Sequence, residues 1–113
     1  MKKVTHRPSF QGDLMIRRID ALPDGLKVAM PDGEHHILAH SETGHHHVVL
    51  ERAAQRFIDE TNEFISYLEV ASDVELRHLR EHDTHEPYLL EPGLYEVRNQ
   101  REHTPEGWRR AAD

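Results

Sequence analysis

Short runs in which apolar and polar residues alternate, separated by turn-forming residues, recur along most of this chain. Leu14 to Ile19 follows Gly12-Asp13 and suits a strand, and Leu26 to Met30 alternates between Pro23-Asp24-Gly25 and Pro31-Asp32-Gly33. In each Pro-Asp-Gly copy proline presets φ, aspartate bonds the local backbone and glycine supplies positive φ, so each predicts a tight turn. The second turn leads into His35 to His40, and Ser41-Glu42-Thr43-Gly44 turns that segment into His45 to Leu50. Val74 to Leu79 alternates cleanly, and Pro92-Gly93 opens Leu94 to Arg98. Strand-length segments at this spacing predict a mainly β single domain, a small β-barrel or meander, with a polar arm over 1–11 and a short C-terminal tail over 104–113.

The middle of the chain carries two competing patterns. Leu50, Ala53, Ala54, Phe57, Ile58, Phe64, Ile65 and Leu68 recur at spacings of three and four, the signature of an amphipathic helix at about 50–68 and hence of an α+β fold. The other reading is a hairpin, with strands at Arg56 to Asp59 and Phe64 to Val70 turning at Glu60 to Glu63. The strand composition of the second segment and the β character on both sides favour the hairpin.

Composition narrows the chemistry. A chain of 113 residues holds one domain, and with 36% apolar residues and only seven aromatics its core is thin. Small domains of this kind often gain stability from a metal or from self-association, so a homo-oligomer is expected and a protein partner is kept open. The absence of cysteine excludes disulfides, thiolate catalysis and Cys-containing zinc sites. A formal net charge of −7 argues against a nucleic-acid surface, and no segment resembles a signal peptide or membrane span, which leads us to expect a soluble cytoplasmic protein. The Arg98, Arg101, Arg109 and Arg110 group beside Trp108 reads mainly as a solubilising end, with contact to an acidic partner or RNA as the less favoured use.

Eleven histidines change the picture, because imidazole is both a common transition-metal ligand and the side chain that titrates near neutral pH. Protonating all of them would move the net charge from −7 to +4. They cluster at Thr43-Gly44-His45-His46-His47 and at His82-Asp83-Thr84-His85. On a strand His45 and His47 share one face while His46 points away, so the first pair can converge on one ion. His82 and His85 from a later connection complete a candidate centre of four ligands for zinc, iron, nickel or copper. Were Val74 to Glu81 helical, His78, His82 and His85 would instead fall on one face, with Asp73 as the N-cap. His6, His35, His36, His40, His46 and His103 read as solvated residues.

The string His45-x-His47-x3-Glu51 resembles the core of the first cupin motif. That resemblance implies a β-barrel holding a metal with about three histidines and a carboxylate, and an enzyme acting on a small molecule. It spans about seven residues, and the second motif with its later histidine has no counterpart. A longer series, Gln11-Gly12-Asp13, Thr43-Gly44-His45-x-His47, His82-x2-His85, Pro92-Gly93-x-Tyr95-x-Val97 and Gln100-Arg101-Glu102, resembles a pattern in small uncharacterised bacterial and phage-associated proteins. It implies a β hairpin in the middle segment and carries no function with it.

Catalytic constellations are poor. Ser9, Ser41, Ser66 and Ser72 lie in no nucleophile-elbow context, there is no glycine-rich phosphate loop, and no catalytic residue is assigned. Asp13, Glu86 and Glu91 read as solvated carboxylates. A catalytic metal also needs an open coordination position and a pocket that excludes water, which so small a core scarcely provides. The expectation is therefore a metal-binding β-barrel acting as a structural or interaction module, with a cupin-like metal-dependent enzyme and a pH-responsive histidine-rich binding module as alternatives.

Overall fold

In the computed structural model, residues 1–39, 46–50, 52–79 and 87–99 are described, with the backbone alone considered for residues 39, 46, 47, 50, 78 and 79. The described residues contain eleven strands and no helix: β1 (Lys2–Lys3), β2 (Ser9–Gln11), β3 (Leu14–Ile19), β4 (Lys27–Ala29), β5 (His35–Ala39), β6 (His46–Leu50), β7 (Ala54–Asp59), β8 (Asn62–Val70), β9 (Val74–Leu79), β10 (Tyr88–Leu90) and β11 (Gly93–Asn99). They form a five-stranded sheet of order β1-β10-β9-β6-β5 and a six-stranded sheet of order β2-β3-β11-β8-β7-β4. All pairings are antiparallel except β1 with β10. Among the described residues no closed barrel is found. No helix there is long and apolar enough to cross a membrane.

The alternation seen in sequence becomes two inner faces. Leu38, Val49, Val74, Leu76 and Leu90 of the first sheet meet Leu14, Ile16, Leu68, Val70, Tyr95 and Val97 of the second in one buried cluster. The disputed middle segment is a hairpin: β7 and β8 pair from Ala54 opposite Val70 to Asp59 opposite Asn62. The alternative helix at 50–68 is corrected accordingly. At the hairpin end Asp59 accepts bonds from the Thr61 backbone N–H and hydroxyl at 2.9 and 2.6 Å, so the turn is closed by its own side chains.

Both Pro-Asp-Gly copies turn as expected, with Gly25 at φ 80° and Gly33 at φ 63°. The second carries the chain from β4, at one edge of the six-stranded sheet, to β5, at one edge of the other. It is closed by reciprocal backbone bonds between Asp32 and His35. The segment expected as a polar arm contributes strands to both sheets, because Lys2 and Lys3 pair with Tyr88 and Leu89, and Ser9 to Gln11 pair with β3. Gln11 is fully buried, and its amide donates to the Leu76 carbonyl at 3.2 Å, joining the sheets.

Gly93 is required by close approach. At φ 155° a Cβ here would stand 2.5 Å from Arg18 Nη2, and Arg18 is held by the Pro92 carbonyl at 2.6 Å and packs over the Tyr95 ring at 5.9 Å. Gly93→Ala is therefore expected to cost about 1–3 kcal/mol through strain and displacement of the guanidinium. In an Arg18→Ala background the loss should shrink, as chemical denaturation of the double-mutant cycle will show.

Candidate functional site

Strands β6 and β9 build the histidine end of the molecule. Both are strand-prone by composition, His-His-Val-Val-Leu and Val-Glu-Leu-Arg-His-Leu, and each sends alternate residues into the core, Val49 from one and Val74 and Leu76 from the other. Their register sets His46 opposite Leu79, His47 opposite His78 and Val48 opposite Arg77. Directly opposed positions in an antiparallel pair lie about 4.5–5.5 Å apart at Cα, so the backbones at 47 and 78 are neighbours across the ladder.

Of the four ligands expected from sequence, His47 lies in β6, whereas His45, His82 and His85 fall outside the described residues, as does Glu51 of the cupin-like string. Among the described residues no group of three or more His, Asp or Glu stands ready to hold a metal ion. The helical trio of His78, His82 and His85 is corrected, because Val74–Leu79 is strand β9 and position 78 is opposed by His47. His36 is also corrected: it is 2% exposed, not solvated, because it alternates with Leu38 on the core side of β5 and is paired in register with buried Val49. His6 is exposed and bonds Asp20 at 2.9 Å.

The opposite face of the six-stranded sheet carries a separate charge cluster. Glu96, only 7% exposed, accepts from Arg17 Nε at 3.1 Å and from Arg98 Nε at 3.0 Å. Burial by itself would raise this carboxyl, but the bonds from the two guanidiniums outweigh it and hold the group below its ordinary range. The cluster thus stabilises the fold above the pH at which an unfolded glutamate ionises, and that contribution is lost as pH falls through the lower folded value. Glu96→Gln is expected to cost on the order of 1 kcal/mol at neutral pH, since both arginines are more than a third exposed and screened. The difference from wild type should narrow progressively as denaturation is repeated at pH values below the ordinary glutamate range.

The family described as Domain of unknown function (DUF8820) matches residues 10–100, from β2 through β11. The chain belongs to that family. No curated protein and no solved structure matches it. The DUF8820 match takes in both sheets and the β6–β9 histidine end, and leaves outside it the first strand and the segment after residue 100.

Proposed function

We propose that this protein is a metal-binding β module with a structural or interaction role, in which His45, His47, His82 and His85 hold a divalent transition metal and the bound ion supports self-association. The observation that carries the reading is the β6–β9 register. It pairs His46 with Leu79, so the first residue of β6, which follows His45 in sequence, and the last residue of β9, which precedes His82 and His85, lie side by side. Four neutral imidazoles suit zinc, nickel or copper, and three with a water suit iron as well. His78, raised from sequence only as part of a helical trio, is opposed to His47 in the register and is a further candidate beside this set.

The test is elemental analysis of protein purified without an affinity tag, together with its solution mass before and after chelation. Stoichiometric metal is expected. Loss of an oligomer on chelation supports an assembly role, and an unchanged mass supports an internal staple. Protein that holds no metal after equilibration with zinc, nickel, copper or ferrous iron overturns the reading.

A further inference from the structure

The outer face of the six-stranded sheet is more apolar than a sheet face turned to water ordinarily is. Where an antiparallel sheet packs one face on the core, the other face is commonly polar. Directly opposed residues share a face, so the register sets Val28, Phe57 and Tyr67 in one row with Glu96, and Phe10, Met15 and Ile65 in the next with Arg98. These apolar side chains lie outside the main buried cluster, and Phe10 and Val28 remain 56% and 59% exposed.

Toward the β2 edge this face holds a shallow groove of about 380 Å³, lined by Pro8, Phe10, Met15, Arg17, Glu96 and Arg98. Glu96 accepts an Nε bond from each arginine, so two planar guanidiniums are fixed at the same groove as Phe10 and Met15. Such planes are stacking partners for an aromatic ring. Because Glu96 already meets both arginines, the groove suits an aromatic side chain better than it suits an anion.

The chain itself supplies that side chain. Arg98 lines the groove and Asn99 ends β11, so segment 100–113, which lies outside the described residues, begins beside it. Its one large apolar residue is Trp108, the only tryptophan of the protein. The stretch from Asn99 to Trp108 spans at most about 30 Å when extended, whereas the three strands under the groove cover only about 10 Å. Slack is therefore ample for a return. Pro105-Glu106-Gly107 repeats the proline, acid, glycine order of the turns at Gly25 and Gly33, so the sequence predicts a turn directly ahead of Trp108. A tether this short gives an effective concentration in the millimolar range, which favours the chain's own indole over that of a second copy at micromolar protein.

We propose that segment 100–113 folds back over the outer face of the six-stranded sheet and seats the Trp108 indole in this groove, against Phe10 and Met15 and stacked on the guanidinium planes.

The experiment reads the single tryptophan of the full chain. Emission at shorter wavelength than that of free tryptophan and several-fold weaker quenching by acrylamide are expected, both unchanged on dilution to micromolar protein. Phe10→Ser should move both toward the behaviour of free tryptophan, whereas Val28→Ser, at the far edge of the same face, should leave both as in wild type. A second readout leaves the sheet intact: in Trp108→Ala the Met15 methyl resonance should shift as the indole ring current is lost, while that of the exposed Met30 holds. Wild-type emission and quenching like those of free tryptophan, equal responses to Phe10→Ser and Val28→Ser, or a Met15 methyl indifferent to Trp108→Ala overturns the proposal. Protection that vanishes on dilution overturns it in favour of a second copy.

Discussion

Replacing Tyr95 by alanine is expected to remove a large share of this domain's stability. Tyr95 is the largest fully buried side chain, sits in β11 between β3 and β8, and opposes Arg18 on one side and Leu68 on the other. Its ring belongs to a core that, among the described residues, holds few aromatics, so the surrounding strands have little with which to refill the space. Truncating a buried aromatic to alanine costs about 3–5 kcal/mol, against a total of about 5–15 kcal/mol for a domain. Tyr95→Phe keeps the ring and loses only the bond from its hydroxyl to the Glu91 carbonyl at 2.6 Å, which is worth about 1 kcal/mol. Urea denaturation should therefore rank the variants wild type, Phe, Ala, with the second step much the larger. Equal midpoints for Phe and Ala would show that the ring is not the keystone. Burial also pushes the Tyr95 phenol above its ordinary range, so the unfolded chain ionises first and stability should fall as pH rises beyond about 10.

How much of this was legible in sequence depends on where each strand finds its partner. Strand β9 coincides with the alternating run at 74–79, because Val74 and Leu76 are buried and Arg77 is exposed, whereas β3 at 14–19 shows as an apolar start, Leu14, Met15 and Ile16 all being buried. The hairpin at 56–70 is legible in composition, while the helix-like spacing has a physical origin in apolar residues on both faces. On the inner side of β7, Ala54 and Ile58 flank Arg56, whose guanidinium is pushed below its ordinary range by burial, and Phe57 opposes Tyr67 on the outer side. Apolar residues on two faces of a strand imitate a period of three to four.

Strands β1, β2 and β10 were illegible because each is only two or three residues long, too short to show a period. β1 is held by a neighbour remote in sequence, β10, and just beyond it the Val4 N–H donates to the Leu89 carbonyl at 3.0 Å. His36 escaped for a related reason. Burial of His36 follows from the alternation of β5, but its imidazole reads as polar until Val49 is known to oppose it. The pairing of His47 with His78 is a fact of sheet order, since β6 and β9 meet across an entire hairpin in the other sheet. No local pattern encodes it.

The metal reading makes the second large prediction. His47→Ala and His85→Ala should each lower metal occupancy and thermal stability together, and His78→Ala should follow them if the opposed pair contributes a ligand. A metal that binds the folded chain and not the unfolded one stabilises by mass action, about 2.7 kcal/mol at a free concentration roughly 100 times the dissociation constant. Protonated imidazole cannot ligate, so this increment is present above about pH 6.5 and fades as pH falls below it. His36 is unsuitable as a control because it is buried, and His103 lies outside the described residues. His6 serves better: it is exposed, it bonds the exposed Asp20, and His6→Ala should leave metal content unchanged. Thermal scans with and without metal at pH 7.5 and pH 5.5 separate the cases. Should His6→Ala and His47→Ala lose the same amount, or the metal increment persist unchanged at the lower pH, the histidines at this end of β6 and β9 are not ligands and the metal-binding role falls with them.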